Sequence, residues 1–320
     1  MNEINIDLID RKILYQLDLN ARQSNAQIGK KISTSKEVVN YRIKRLEKEG
    51  YISGYHTIIN FWKLGYQTIR VYLKFIDISP ENKVQLMDFL IKKDKVLFIL
   101  ETEGVYDLGF GVLVKNLSEF EKFYEEFKAS WKPFIIKEQI SFYNAIYHFN
   151  RDYLLEKQNN QLKSIVIKEE PEIAHDDKDI SLLKILAEQA RIPLLDLSRK
   201  LKMAPRTVAY RIKQLEKNKV IASYRMVFTT KKINYEYYKI DINVKDNDII
   251  SQLISFCNKN PNIIYIVKTI GGADLECGVE VPHREAFDNL MDEMRKSFKG
   301  IREIIPNNLR GYKKYLYFLK

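Results

Sequence analysis

The sequence has little of what disulfide-bonded, metal-binding or membrane-spanning proteins contain. Its 320 residues include two cysteines, Cys257 and Cys277, outside any paired motif, so neither a disulfide framework nor a zinc ribbon is indicated. Its four histidines are scattered singly, as ordinary polar residues are. No run approaches the ~18 apolar residues of a membrane span, and the acidic N-terminal stretch lacks the apolar core of a signal peptide. We therefore expect a cytoplasmic protein with no metal and no cofactor.

The overall composition is that of a globular protein with a basic surface. Hydrophobic residues make up 45% and charged residues 30% of a chain long enough for two or more domains. The formal net charge of +11 favours a polyanionic partner, although charge alone indicates only non-specific attraction.

An internal repeat is the strongest signal in the sequence. Residues 7–55 align without a gap on residues 176–224, at an offset of 169. Identical pairs include Asp7/Asp176, Asp10/Asp179, Ala21/Ala190, Arg22/Arg191, Arg42/Arg211, Lys44/Lys213, Glu47/Glu216 and Tyr55/Tyr224. Such a match indicates a tandem duplication.

Each copy opens with a pattern of three helices followed by a strand. Hydrophobic periodicity predicts helices over 10–19, 25–32 and about 35–48, and over 179–189, 194–201 and about 205–217. Ser35 or Thr34 is a candidate cap for the third helix of the first copy, and Gly50 is a candidate left-handed stop. Three helices and a hairpin make a winged helix-turn-helix.

The third helix of each copy carries the candidate DNA contacts. Val39, Ile43 and Leu46 form one stripe that must face a core. The other face carries the candidates, which are Lys36, Glu37, Asn40, Tyr41, Lys44, Arg45 and Lys48, with Arg206, Tyr210, Lys213, Gln214 and Lys217 in the second copy. A charged outer face is often only a solvated surface, but its recurrence favours double-stranded DNA as the partner.

A second module follows each set of helices. Alternating strands, among them 69–75 and 238–244, and amphipathic helices, among them 81–93 and 248–259, give the order βαββαβ of a ferredoxin-like unit. The fold class is therefore α+β, as two repeats of a winged helix-turn-helix followed by a ferredoxin-like domain. The polar residues 151–175 between the copies are predicted to be a linker.

These motifs resemble the leucine-responsive regulator/AsnC ("feast/famine") family of transcription factors. The resemblance rests on the DxxDRKIL pattern at 7–14, the YRIKRLEKEG run at 41–50 and the GVYD motif at 104–107. A family member is usually about half this length, so the chain resembles two members fused. The implied domains are 1–60 and 176–230 (winged helices), 61–150 and 231–320 (ferredoxin-like effector domains of the RAM type), and 151–175 (linker).

The resemblance also implies an effector site and an assembly. Amino acids or similar small effectors bind this family near the GxxD loop, which here points to Gly104 and Asp107, and to Gly271 and Asp274. A tight turn with a capping aspartate is the competing interpretation. Effector domains pair in the family, so an intrachain pseudo-dimer is expected, and further homo-oligomerisation stays open.

Departures from the family pattern make DNA binding by the second copy less certain. Lys219 replaces the glycine at 50, so Asn218 or Lys219 must take the left-handed turn, and Ala204 replaces the capping serine. Glu37 suits cytosine, Asn40 suits adenine and Arg206 suits guanine, so unlike half-sites are expected.

Two other classes of function remain as alternatives. Siroheme decarboxylases resemble the same two-module architecture, but they carry a histidine-bearing motif where residues 101–114 and 268–281 contain no histidine. An interaction module that has lost DNA binding is the second alternative.

Overall fold

A computed structural model describes residues 6–155 and 164–319. In the first copy, three helices precede a strand: α1 (Leu8–Leu19), α2 (Asn25–Ile32), α3 (Lys36–Lys48) and β1 (Ile52–Ile59). Side chains cap all three helices, because Asp7, Ser24 and Ser35 each accept a hydrogen bond from the backbone N–H three residues ahead. The cap of α3 is therefore Ser35 and not Thr34.

The first effector module has the predicted βαββαβ order. Its elements are β2 (Gln67–Phe75), α4 (Pro80–Lys92), β3 (Val96–Glu103), β4 (Leu108–Val114), α5 (Leu117–Trp131) and β5 (Ile135–His148). One face of this sheet packs on the helices: Ile69 and Phe110 are fully buried in one apolar cluster with Leu90 and Phe127.

The predicted linker contains a strand that the sequence did not indicate. Strand β6 (Ile165–Lys168) pairs antiparallel with β5 from Ala145 to His148. Beyond it, Lys63 Nζ lies 2.6 Å from a carboxylate oxygen of Glu170, which ties the segment to the first copy. Residues 156–163 of the predicted linker lie outside the described residues.

The second copy repeats the same order. Its elements are α6 (Asp177–Glu188), α7 (Leu194–Leu201), α8 (Pro205–Lys217), β7 (Ile221–Phe228), β8 (Glu236–Val244), α9 (Ile250–Lys259), β9 (Ile263–Ile270), β10 (Leu275–Val281), α10 (Arg284–Ser297) and β11 (Ile301–Tyr315). Lys219 takes the left-handed turn with φ +58°, as predicted, where Gly50 has φ +77°. Helix α8 begins after Ala204 without a side-chain cap. The predicted fold class is confirmed.

The wing differs from the expected hairpin. In the described residues each winged-helix unit contributes one strand, and β1 pairs antiparallel with β7 of the other copy. Tyr55 lies opposite Met226 and Thr57 lies opposite Tyr224. Since Tyr224 corresponds to Tyr55 and Met226 to Thr57, the pairing is the same from either copy. The hairpin prediction was wrong because a strand that follows a helix needs a partner, and the duplicated copy supplies it.

The strands of the two effector modules close into a barrel. Their order is β5, β2, β4, β3, β11, β8, β10 and β9, and β9 pairs again with β5. The first half of β5 pairs with β2 and its second half with β9, while β11 divides in the same way between β8 and β3. Each module's last strand therefore completes the other module's sheet. No helix in the described ranges is long and apolar enough to cross a lipid bilayer.

Candidate nucleic-acid interface

Helix α3 presents the predicted outer face to solvent. Val39, Ile43 and Leu46 are buried as expected. Tyr41 keeps 69% of its surface exposed, and the exposed positions around it are Lys36, Glu37, Asn40, Lys44 and Lys48. These side chains place cations and hydrogen-bonding groups on one side of the helix.

Arg45 lies apart from this face. Its guanidinium donates to the fully buried carboxylate of Asp10 on α1. Arg42 joins the same network, with 2.7 Å to Asp7 and 2.9 Å to Asp10, and the bond to Asp7 raises the pKa of Arg42. The acidic residues that open α1 therefore hold the recognition helix in place, and Arg45 contributes to that support.

Helix α8 presents a similar but unequal face. Tyr210 is 62% exposed, and Arg206, Lys213 and Lys217 are exposed beside it. Gln214, at the position of Arg45, is half-buried. Arg211 repeats the supporting pair, with 2.8 Å to Asp176 and 2.7 Å to Asp179.

The two winged-helix units are joined by reciprocal hydrogen bonds. Arg22 Nη1 donates to the carbonyl of Ala190 at 2.6 Å, and Arg191 Nη1 donates to the carbonyl of Ala21. Backbone bonds repeat the symmetry, from Ala21 N to the carbonyl of Tyr224 at 2.8 Å and from Ala190 N to that of Tyr55 at 3.1 Å. Each residue named in these four bonds is identical in the other copy.

Two tyrosines connect this interface to the recognition helices. Tyr55 donates to Glu47 of α3 at 2.6 Å, and Tyr224 donates to Glu216 of α8 at 2.7 Å. Burial and these carboxylates raise the pKa of both phenols, so both stay protonated donors. The orientation of α3 and α8 is thus fixed from the shared two-stranded sheet.

Comparisons with known proteins agree with this geometry. A model of winged helix-turn-helix DNA-binding domains matches residues 6–53, and a model of the AsnC-type helix-turn-helix domain matches residues 176–216. The HTH-type transcriptional regulator Ptr1 of Methanocaldococcus jannaschii is 32% identical over 121 residues, which is 38% of this chain and 80% of that protein. The chain belongs to the AsnC/Lrp family of helix-turn-helix transcription regulators.

Two further comparisons bear on the doubled length of this AsnC/Lrp-family chain. An uncharacterized HTH-type transcriptional regulator of Pyrococcus horikoshii is also 32% identical over 121 residues, 38% of this chain and 75% of its own. The crystal structure of the siroheme decarboxylase NirDL matches 98% of this chain and 94% of that one, with a TM-score of 0.66 and 12% identity. That likeness extends over both copies and shows a shared fold.

In this AsnC/Lrp-family chain, the two aspartates predicted to bind an effector both accept hydrogen bonds from backbone N–H groups. Asp107 accepts hydrogen bonds from the backbone N–H of Phe75 at 2.9 Å and from Lys74 Nζ at 2.7 Å. Asp274 accepts from the backbone N–H of Val244 at 2.8 Å. Both carboxylates therefore accept from the backbone at the end of a neighbouring strand, β2 for Asp107 and β8 for Asp274.

The two predicted effector glycines differ in their surroundings. Gly104 has φ +128°, and a Cβ there would have no atom within 4 Å. Gly271 has φ +85°, and a Cβ there would lie 2.8 Å from the carbonyl oxygen of Ile140 on β5. The first loop is open, whereas the second is closed by the first copy.

The barrel interior holds charged residues that the sequence analysis did not single out. Arg70, which alternation placed on the polar face of its strand, is buried and pairs with Glu276 of the other copy. Lys239 Nζ lies 2.9 Å from the same carboxylate and also pairs with Asp241. Burial lowers the pKa of Lys239, and Asp241 opposes that shift. The chain position of Arg70 gave no signal that a second sheet covers this face.

Proposed function

We propose that this protein regulates transcription by binding duplex DNA in a sequence-specific manner, with both recognition helices supplied by one polypeptide. The observation that carries the proposal is the pair of exposed, cationic and aromatic helix faces held together by Arg22, Arg191 and the β1–β7 ladder. A helix-turn-helix dimer presents two such helices to two half-sites. Here the duplicated chain provides both.

The residues divide into two roles along each helix. Tyr41, Lys44 and Lys48, with Tyr210, Lys213 and Lys217, have the side-chain types that contact phosphates and fix register. Base edges are read at the N-terminal ends, by Lys36, Glu37 and Asn40 in the first copy and by Arg206 in the second. Arg45 supports α3 through Asp10, so it stands outside the proposed contact set.

Charge reversal on α3 tests the proposal. Lys44→Glu with Lys48→Glu should weaken binding to every duplex and reduce the slope of log affinity against log salt by about 2. Lys92→Glu with Lys122→Glu, at exposed positions on α4 and α5, makes the same change in net charge away from this face. Equal losses in both double variants would contradict the assignment. Failure of the unaltered protein to bind any duplex at low salt would favour the interaction-module alternative.

We further propose that the paired effector modules act as an intrachain pseudo-dimer. The closed barrel supports this, because each module's last strand lies in the other's sheet. Light scattering that returns the chain mass of 37.9 kDa would fit the internal pair alone, and a multiple of it would show further assembly. Separately expressed halves that fail to associate would count against the pseudo-dimer.

For a small effector such as an amino acid, we propose the open first loop and not the closed second one. The surface pair of Lys74 and Asp107 is the bond that a ligand's ammonium group would replace. Asp107→Asn keeps an acceptor for the N–H of Phe75 but removes the charge, so amino-acid binding measured by calorimetry should be lost. Asp274→Asn is the matched control and should leave binding unchanged.

The full-length fold match favours one second candidate, a siroheme-decarboxylase-like enzyme. Neither residues 101–114 nor residues 268–281 include a histidine, so the histidine-bearing motif of siroheme decarboxylases is missing from both segments. A heme-like absorbance band after incubation with siroheme, followed by loss of carbon dioxide, would support the enzyme. Specific duplex binding without such a band would support the regulator.

A further inference from the structure

A relay of side-chain amides connects the reading face of α3 to the second copy. Asn25 Nδ2 donates to Oδ1 of Asn40 at 3.2 Å. Asn25 Oδ1 in turn accepts from Arg191 Nη2 at 2.9 Å. Asn25 is the first residue of α2, Asn40 lies on the exposed face of α3, and Arg191 belongs to the other copy. Three residues thus join the interface between the copies to a proposed base-reading residue.

The chemistry of arginine fixes the direction of this relay. A guanidinium group only donates hydrogen bonds, so the atom of Asn25 that faces Arg191 must be the carbonyl oxygen. The NH₂ group of Asn25 then donates to Asn40, which must accept with its side-chain oxygen. Asn40 is left with its NH₂ group directed outward, as a donor.

Arg191 can impose this hydrogen-bond direction because other contacts fix its guanidinium group in place. Its Nη1 donates to the carbonyls of Ala21 and Gln23, the latter at 3.2 Å. Its guanidinium also lies over the ring of Tyr55, 5.2 Å from the ring centroid. The guanidinium therefore cannot turn away from Asn25 without breaking the interface between the copies.

We propose that Arg191 and Asn25 are specificity-determining residues that set Asn40 as a hydrogen-bond donor toward DNA. A bidentate contact with adenine needs both the oxygen and the nitrogen of an asparagine amide. With the oxygen directed at Asn25, Asn40 instead suits acceptor edges, above all the N7 and O6 of guanine. This replaces the adenine contact expected from sequence, and it rests on the proposed DNA-binding function.

The relay belongs to one half-site only. The positions that correspond to Asn25 and Asn40 in the second copy are Leu194 and Ala209. Arg22, the counterpart of Arg191, donates to the carbonyls of Ala190 and Ile192, the latter at 3.4 Å. For the second half-site the arginine is therefore present, as Arg22 of the first copy, but neither amide is, so that half-site is read without this relay.

Asn25→Asp reverses the relay and tests the proposal. An ionised aspartate still accepts from Arg191, but it has no N–H to offer, so Asn40 must turn its NH₂ inward and its oxygen outward. Preference at one base pair should move from guanine toward a base that offers a donor, cytosine or adenine. The ratio of affinities for duplexes that differ at that pair should change by about tenfold. Selection from random duplexes identifies the preferred base, and competition between two duplexes that differ at that pair measures the ratio of affinities.

Matched variants separate this effect from charge and folding. Gln27→Glu adds the same charge on α2, so it should lower affinity for all duplexes without changing the ratio. Asn25→Leu, the residue of the second copy, should reduce the discrimination. In an Asn40→Ala background, Asn25→Asp should have no effect on the ratio.

Two results would overturn the proposal: an unchanged base preference in Asn25→Asp, or the same shift in the Asn40→Ala background. Absence of duplex binding by the unaltered protein would instead reject the proposed function itself.

Discussion

Arg70 and Glu276, 206 residues apart in the chain, form an ion pair inside the barrel with each residue only 2% exposed. One charge comes from each copy, so the two modules neutralise each other. A buried charge that loses its partner costs far more than an exposed one. The pair therefore couples the stability of one module to the presence of the other.

Removing the carboxylate should destabilise the protein strongly. Glu276→Gln leaves Arg70 and Lys239 buried with one counter-charge fewer, and we expect a loss of about 3–5 kcal/mol in the free energy of unfolding. Urea denaturation measures it. Asp288→Asn breaks the exposed pair with Arg284 on α10 and should cost under about 1 kcal/mol. Similar costs for both variants would show that the interior pair is solvated.

The junctions between winged helices and barrel should respond unequally to substitution. Asp18 of α1 is fully buried, with 2.7 Å to Arg151, and Arg225 lies 3.6 Å from the same carboxylate. Arg151 continues to Glu280 of the barrel at 2.9 Å. The position matching Asp18 in the second copy is Ala187, which is buried in an apolar cluster.

Asp18→Ala should therefore cost about 3–5 kcal/mol, because the buried Arg225 loses the carboxylate beside it and Arg151 keeps only Glu280. The measurement is again urea denaturation, with Glu121→Ala as a control at an exposed acidic position on α5. A cost near that of the control would mean that Arg151 and Arg225 find other partners.

Stability should fall as the pH is lowered below the range where histidine normally titrates. Burial lowers the pKa of His148 to about 3, and burial, His148 and Arg225 hold the pKa of His56 well below its usual range. The Nδ1 atom of His56 is buried and has no hydrogen-bond partner among the described residues, and the ring centroids of His56 and Tyr317 stack at 3.7 Å. Both rings therefore stay neutral in the folded protein.

The direction of this pH dependence follows from the protonation of the histidines in the unfolded and folded states. Below pH ~6.5 both histidines are protonated in the unfolded chain but stay neutral in the folded protein. The free energy of unfolding therefore falls by up to about 1.4 kcal/mol per pH unit for each histidine. Although burial opposes it, Arg225 and Arg151 hold the pKa of Asp18 below its usual range, so Asp18 contributes only below pH ~4. His56→Phe should lessen the slope between pH ~6.5 and ~5, and adding His148→Gln should lessen it further. An unchanged slope would show that neither ring is neutral for this reason.

The helices and their outer faces could be predicted from the sequence because their causes are local. Residues within a few positions of each other determine the hydrophobic period, the N-terminal caps and the end of α3 near Gly50. Val39, Ile43 and Leu46 are buried, as the apolar stripe of α3 requires. Arg45 could not be placed, because its partner Asp10 lies on another helix.

Strand pairing between the copies could not be predicted in the same way. Alternation shows which residues share a face of a strand, but not what covers that face. Alternation therefore predicts only a half-buried strand for β2, although Arg70 lies inside a barrel closed by the second copy. The same limit hid the pairing of β1 with β7.

The last prediction concerns how the two recognition helices divide an operator. At the N-terminal end, where base edges are usually read, Lys36, Glu37 and Asn40 correspond to Pro205, Arg206 and Ala209. Identical helices read near-palindromes, so helices that differ here should select two unlike half-sites.

Exchanging Glu37 for Arg and Asn40 for Ala should move the first half-site toward the second, because the altered helix then carries the second copy's reading residues at those positions. On the original operator, each lost base contact should cost about 1–3 kcal/mol. Selection from random duplexes, carried out with the unaltered protein and the double variant, measures both effects. A perfect palindrome from the unaltered protein, unchanged in the variant, would mean that the residues that differ do not divide the reading, and that specificity comes from DNA shape instead.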